Sequence, residues 1–201
     1  MALYHFSVRH VSRGKGQMVV ASAAYISGQR IYDGYYNKIH DYTSKSGVVF
    51  TEILTPEYVP ERMTDRETLW NEVEHVERNN KAQLAYSFDI ALQNELTLEE
   101  NIRLAKEFCQ EQFVVCGMIV DLAVHEGKSD NEEEPDNPHF HVLAPIRPFT
   151  EEGIWGNKQR REYILDEDGN RVKDAKGKDM FNAVSTTGWN DPELLEEWRR
   201  A

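Results

Sequence analysis

The strand-like and helix-like segments of this 201-residue chain are compatible with an α+β fold, a mostly antiparallel sheet with helices packed on its faces. Two observations support this prediction. Segments in which apolar and polar residues alternate, a pattern typical of half-buried strands, occur together with three long helical segments. Two apolar, β-rich segments at 117–125 and 140–146 flank an acidic loop, which predicts an antiparallel hairpin with a long connection.

The first half of the chain is predicted to contain two strands and two helices. Residues 3–10 alternate apolar and polar side chains and predict a strand, whereas the glycine-rich and basic segment 12–17 predicts a loop. Small residues throughout 18–28 predict a helix that lies close against a sheet and ends near a glycine. The other elements predicted here are a loop or short hairpin at 32–43, a strand at 48–54 and an amphipathic helix at 64–79.

The second half opens with a predicted strand at 83–92 and a helix at 97–113, which starts with the capping pattern Thr97-Leu98-Glu99-Glu100. The hairpin around the acidic loop at 126–138 follows. Residues 150–201 are less regular, and we expect a polar hairpin with turns at 166–170 and 175–178, then a last helix at 193–200. Because that helix stops without a cap, we expect residues 1–201 to be one domain that forms the N-terminal part of a longer protein.

The charge of the chain is acidic overall but unevenly distributed. A net charge of −12 argues against a general nucleic-acid binder, since phosphate contacts need lysine and arginine. Residues 1–32 nevertheless contain several cations and no acid, which allows a locally positive face. No segment approaches the length of a membrane span and no signal pattern is present, so we predict a cytoplasmic protein. The cysteines Cys109 and Cys116 are predicted to be core residues rather than a disulfide.

Three histidines form the most informative pattern in the sequence. His139 and His141 stand at i and i+2 in a strand-like run, so they share one face while Phe140 points to the other. His125 ends the preceding predicted strand, and the hairpin would bring it next to this pair. Three imidazoles can form a cradle for a divalent metal. Two histidines on a solvated face would give the same pattern, so both interpretations stay open.

Tyr25 is the candidate nucleophile. It lies among alanines and serine on the first predicted helix, where a tyrosine can also be an ordinary core or surface residue. A phenol with a pKa near 10 attacks poorly at neutral pH. A nearby divalent metal assists such an attack because it polarises phosphoryl oxygens and neutralises charge in the transition state. The tyrosine and the histidine cradle are therefore chemically compatible.

Several motifs together resemble the MobA/MobL relaxases of mobilisable plasmids and conjugative elements. Tyr25 ends a motif like that of the family's N-terminus, and His139-Phe140-His141 resembles its histidine-hydrophobic-histidine (HUH) motif, with His125 upstream. The pairing of these motifs makes the resemblance specific, and it extends from residue 1 to about Trp198. The matching segments are residues 1–6, 16–17, 21–25, 123–125, 137–141, 155–156 and 158–163.

This resemblance implies a relaxase domain over residues 1–201, a site-specific DNA nickase with a five-stranded antiparallel sheet and the histidine pair on a central strand. Tyr25 would attack the scissile phosphate of single-stranded or hairpin DNA at the transfer origin, form a 5′-phosphotyrosine and allow religation. His125, His139 and His141 would hold Mg²⁺ or Mn²⁺, and Ni²⁺ or Zn²⁺ could bind in vitro. Accessory relaxosome proteins and a coupling protein are the implied partners.

Further site residues are predicted around this centre. Asp89 shares a strand face with Ser87 and Ala91, where it could hydrogen-bond an imidazole or accept the Tyr25 proton; an ordinary polar residue at a strand rim is the alternative. The cations predicted to contact DNA phosphates are Arg9, Arg13, Lys15, Lys158, Arg160 and Arg161. The aromatic residues that could stack on unpaired bases are Tyr32, Tyr35, Tyr36 and Trp155.

Two other functions remain open at this stage. A cupin-like metal oxygenase also uses His-x-His, but it requires a nearby downstream glutamate and a run of short strands, whereas this chain has three long helical segments. The other alternative is not an enzyme: a DNA-binding initiator whose metal site is vestigial.

Overall fold

A computed structural model describes residues 5–127 and 136–201 of the chain. Its strands are β1 (Phe6–Ser12), β2 (Arg30–Asp33), β3 (Lys38–Asp41), β4 (Val48–Leu54), β5 (Gln83–Ala91), β6 (Val120–His125), β7 (His139–Pro145), β8 (Gln159–Tyr163) and β9 (Phe181–Ser185). Its α-helices are α1 (Val19–Ser27), α2 (Arg66–Val76), α3 (Leu98–Phe108) and α4 (Pro192–Arg200). The predicted strand at 3–10 and the acidic loop at 126–138 both extend outside the described residues.

Five of the described strands form one sheet in the order β1-β5-β7-β6-β4, and every neighbouring pair is antiparallel. The strand with the histidine pair, β7, is central. The prediction of an α+β fold with a five-stranded antiparallel sheet is therefore confirmed. A five-stranded sheet covered by helices on both faces, with two small hairpins beside it, does not fit the run of short strands that the cupin-like alternative requires, so that alternative is wrong.

Alternation along the strands divides the interior into two cores. On one face, small and aliphatic residues such as Ala85, Ala123 and Leu143 pack against α1 and α2. On the other, aromatic residues such as Phe88 and Phe140 pack against α3 and α4. Phe140 therefore fills the second core, while the histidines that flank it face the side of α1.

Most predicted elements are present, with shifts at their ends. The strand β1 continues to Ser12, into the predicted loop, and a helical turn at Arg13–Lys15 follows it. The helix predicted to end at residue 113 leaves α-helical geometry after Phe108 and continues as a π-helical turn, Cys109–Val114. Both cysteines are free, but Cys116 is exposed, so its assignment to the core is wrong.

The segments outside the main sheet form two small hairpins. One pairs β2 with β3 within the segment predicted as a loop or hairpin. The other pairs β8 with β9 in the less regular region that follows β7, and its polar turns are those expected from the sequence. Helix α4 packs through the buried Trp198 against Phe113, so this region is joined to the second core. In the described part of the chain, no helix has the length and apolar character needed to cross a bilayer.

Candidate metal and nucleophile site

The antiparallel pairing of β6 with β7 brings the three histidines together. Its register places His125 directly opposite His139, and His141 follows two residues later on the same face. The centroids of the three rings are 4.7 to 5.2 Å apart. One ring nitrogen of each residue lies within 4.8 Å of the other two, which is compatible with a shared metal ion. Convergence at one end of the hairpin was predicted from the positions of the histidines at the strand ends.

Backbone carbonyls orient two of these rings. Nε2 of His125 lies 2.7 Å from the carbonyl oxygen of Ile26 on α1, and Nδ1 of His139 lies 2.7 Å from that of Asn137. Because a carbonyl can only accept, each of these nitrogens carries the hydrogen, and the lone pair lies on the other ring nitrogen. Such hydrogen bonds fix the tautomer and the orientation of a metal-ligating imidazole. These residues therefore suit a divalent metal ion.

Burial keeps two of the imidazoles, those of His125 and His141, neutral. It lowers the pKa of His125 to about 4, partly offset by the hydrogen bond to Ile26. Burial also lowers the pKa of His141, while the charge of Asp89 acts in the opposite direction. At neutral pH both rings therefore have a free lone pair for a metal ion.

Tyr25, Asp89 and His141 line one open cleft of about 560 Å³. Tyr25 projects from α1 with half of its side chain exposed. Asp89 lies on β5 directly opposite His141 on β7, because the two strands pair in that register. The expected division of β5 is confirmed, since Tyr86, Phe88 and Ile90 lie in the second core while Ser87 and Asp89 line the cleft.

Two side chains beside Tyr25 were missed from the sequence. The ammonium of Lys45 lies 3.8 Å from the centroid of the Tyr25 ring and donates a 3.0 Å hydrogen bond to the Tyr25 carbonyl. Tyr42 meets the same ring edge-on, with centroids 5.4 Å apart. Both belong to the loop between β3 and β4, in which no motif marks them. The carbonyl of Ile26 was missed as well, because sequence does not show which backbone oxygen faces a histidine.

Arg13 requires a correction. Its guanidinium is buried and bonds to the Glu74 carboxylate and to the carbonyl oxygens of Glu74, Glu77 and Asn79. These partners lie at the end of α2, so Arg13 ties the turn after β1 to this helix instead of facing DNA. The sequence pattern is misleading because a basic, glycine-rich segment has the same composition whether its arginine points inward or outward.

The other predicted cations lie in two separate regions. Arg9 is exposed and lines the cleft of Tyr25, and Lys15 is exposed on the turn after β1. Lys158 pairs with Glu77 at 2.8 Å and lines a different, polar cavity of about 670 Å³ near the start of β8. The exposed residues Arg160 and Arg161 lie on β8, where one pairs with an acid and the other covers a phenylalanine ring.

The predicted stacking residues also differ in environment. Tyr32, Tyr35 and Tyr36 are exposed on the β2–β3 hairpin. Trp155 is half-buried, with its ring against Phe149 and its indole nitrogen donating to a glutamate. The hairpin tyrosines are exposed, although Tyr35 lies under the Arg13 guanidinium and against the Tyr36 ring, whereas Trp155 is engaged in packing.

Comparison with known proteins agrees with this architecture. A family model described as the MobA/MobL family matches residues 17–201. The conjugal transfer protein TraA of Agrobacterium fabrum is 36% identical over 202 residues, which cover 94% of this chain and 18% of that protein. The probable mobilization protein MobA of Bifidobacterium longum is 34% identical over 174 residues, or 86% of this chain and 30% of that protein. This chain thus spans less than a third of either relative.

A solved structure extends the comparison to three dimensions. It comes from the work "Molecular Basis of Vancomycin Resistance Transfer in Staphylococcus aureus" and aligns with a TM-score of 0.79 and 34% sequence identity. The alignment covers 99% of this chain and 88% of the other. With the family match over most of its length, the chain belongs to the MobA/MobL family.

Proposed function

We propose that this chain is a relaxase domain, a metal-dependent nickase that cuts one strand of single-stranded or hairpin DNA at a transfer origin. The observation that carries the proposal is the single cleft lined by Tyr25, Asp89 and His141, next to a cradle of three histidines. The relatives named for conjugal transfer and mobilization support it. The proposal covers the domain, because the chain spans only a part of these relatives.

The reaction is a transesterification. The Tyr25 phenol oxygen loses its proton and forms a bond to phosphorus, while the bond between phosphorus and the 3′ oxygen breaks and that oxygen takes up a proton. Asp89, in the same cleft, is the acceptor that we assign to the phenol proton. Because one phosphoester replaces another, the 3′-OH can attack the phosphotyrosine and rejoin the strand.

The histidine cradle supplies the second part of the chemistry. His125, His139 and His141 would hold Mn²⁺ or Mg²⁺, and imidazole ligands suit Mn²⁺, Ni²⁺ and Zn²⁺ better than Mg²⁺. When bound, the metal withdraws charge from a non-bridging phosphate oxygen. The neutral state of His125 and His141 and the carbonyl contacts of His125 and His139 support this assignment.

The DNA strand would enter the cleft beside Arg9 and Lys15, and the exposed tyrosines of the β2–β3 hairpin would stack on its bases. Lys158, Arg160 and Arg161 would contact phosphates farther along the strand. Affinity should therefore fall as salt concentration rises, with a slope set by the number of phosphates contacted. If the affinity does not change with salt concentration, these cations do not contact the DNA phosphates.

We further infer that the domain acts in the cytoplasm with accessory relaxosome proteins and a coupling protein.

A covalent adduct tests the nucleophile. The protein is incubated with Mn²⁺ and single-stranded oligonucleotides that span the inverted repeat expected next to its gene, and a DNA-linked band is sought on a denaturing gel. Tyr25→Phe should abolish the band and keep DNA binding. The matched variant Tyr58→Phe, outside the cleft, should retain it. An adduct unchanged in Tyr25→Phe would overturn the assignment.

Metal binding distinguishes a relaxase from a non-catalytic initiator. His139→Ala combined with His141→Ala should remove Mn²⁺ binding measured by calorimetry and abolish the adduct, while the far-UV circular dichroism spectrum is kept. A wild-type protein that binds origin DNA but neither binds Mn²⁺ nor forms an adduct would favour the initiator.

A further inference from the structure

The loop between β3 and β4 holds the Tyr25 ring from two sides. Tyr42 contacts the ring edge-on at a centroid distance of 5.4 Å. Lys45 lies over its face at 3.8 Å and also donates to the carbonyl of the same residue at 3.0 Å. A turn fixes this loop, because the Lys45 amide donates to the Tyr42 carbonyl at 2.9 Å. Both contacts therefore come from one short, closed segment.

Lys45 also lies near the histidine cradle, because its loop leads into β4, whose first residue, Val48, lies directly opposite His125. The lysine is only partly exposed, and its own pKa is lowered by desolvation. A partly desolvated cation interacts more strongly with a neighbouring ring or anion than a fully hydrated one. An ordinary surface lysine would not contact both the ring and the carbonyl of Tyr25 while lying near the histidine cradle.

We propose that Lys45 is a positioning residue for Tyr25, which keeps the phenol ring in one orientation and stabilises the negative charge that its oxygen gains during attack. The inference rests on the proposed function, because it assumes that Tyr25 is the nucleophile. As the phenol loses its proton and bonds to phosphorus, and as the 3′ oxygen leaves and is protonated, the ammonium of Lys45 keeps its own protons. It acts through charge and contact alone.

The first test does not need DNA. Tetranitromethane nitrates tyrosines through their phenolate form, and mass spectrometry of peptides gives the rate at each tyrosine. In Lys45→Met, Tyr25 should be nitrated several-fold more slowly than in the wild type, and Lys45→Arg should restore most of the rate. Tyr163, whose ring lies under Arg171 at 3.7 Å, is the internal reference and should not change. An equal or faster rate at Tyr25 in Lys45→Met would overturn the proposal.

The second test follows the adduct under single-turnover conditions, with the same oligonucleotides and Mn²⁺. Lys45→Met should lower the maximal rate about 10- to 100-fold, in the range known for lost electrostatic stabilisation, with half-saturating DNA changed less than about twofold. Lys45→Arg should recover most of the rate. Lys106→Met is the matched control, since Lys106 also lies over an aromatic ring, that of Phe50, which packs in the second core.

The outcomes separate the two proposals. If wild-type protein forms no adduct, the proposed function fails, and the nitration rates still judge the contact between Lys45 and Tyr25. If the wild type forms an adduct and Lys45→Met is equally fast, Lys45 is not a positioning residue although the function stands. If Lys45→Arg is as slow as Lys45→Met while both retain Mn²⁺ binding and the native circular dichroism spectrum, the charge of Lys45 is not what matters and the proposal is overturned.

Discussion

Metal binding by the histidine cradle should stabilise the fold by a predictable amount. The perturbation is the addition of Mn²⁺ to metal-free protein. His125 and His139 are already oriented by carbonyl groups, so little ordering of these rings is needed when the ion binds. A ligand that binds only the folded state at 100 times its dissociation constant adds about 2.7 kcal/mol to the free energy of unfolding. For a domain of this size, this corresponds to about 5–11 °C in melting temperature.

Thermal unfolding followed by near-ultraviolet circular dichroism measures this shift. The wild type is compared with and without Mn²⁺, alongside His139→Ala and His141→Ala. Each variant should lose the Mn²⁺-dependent shift, because two imidazoles hold a divalent ion much more weakly than three. His75→Ala is the matched control, since His75 is exposed near the end of α2 and lies outside the cluster.

Two results would refute this reasoning. The first is a wild-type protein whose melting temperature does not respond to millimolar Mn²⁺, Ni²⁺ or Zn²⁺. The second is a full shift in His141→Ala, which would mean that the stabilising ion binds elsewhere. A shift that His75→Ala also loses would show non-specific binding instead of the cradle.

Three further predictions concern the pH dependence of stability, the close contact between Gly127 and Asn137, and the buried pair of Asp121 and Arg66. Urea titrations of metal-free protein should give a lower free energy of unfolding as pH falls from 6.5 to 4. The pKa of His125 is lowered to about 4, so the unfolded chain, with an ordinary imidazole, binds the proton first; His125→Gln should reduce the fall. In Gly127→Ala, the added methyl would overlap the Asn137 carbonyl, so Mn²⁺ affinity by calorimetry should drop; unchanged affinity would contradict this. Asp121→Asn should cost about 3–5 kcal/mol in urea titrations, because it leaves the buried Arg66 without its counter-charge, and a loss below about 1 kcal/mol would be contrary evidence.

The histidine cradle was predictable from sequence because its geometry is local. Alternation along a strand puts His139 and His141 on one face, and a hairpin brings the end of the previous strand beside them. The order of the other strands was not predictable in this way. β1 pairs with β5 although more than 70 residues separate them, for example Phe6 and Ile90, and such a choice depends on non-local packing.

The sequence was least informative about individual charged side chains. Arg13 and Arg9 lie in the same basic stretch, yet one is buried in an ion pair and the other lines the cleft. Lys45 carries no motif, and its relation to Tyr25 exists only because the β3–β4 loop folds back over α1. Composition gives the number of charges, whereas the direction of each side chain follows from tertiary contacts.

Helix α1 links the two halves of the candidate site. Tyr25 extends into the cleft, and the carbonyl of the next residue, Ile26, orients His125. Ala23 and Ala24 are fully buried on this helix, which lets its backbone approach the sheet closely enough for that hydrogen bond. The distance between Tyr25 and the three histidines is thus set by the packing of α1 on the sheet and by the pairing of β6 with β7. Since a misplacement of about 1 Å can cost 100-fold in rate, the small residues of α1 matter to the proposed chemistry as much as to the core.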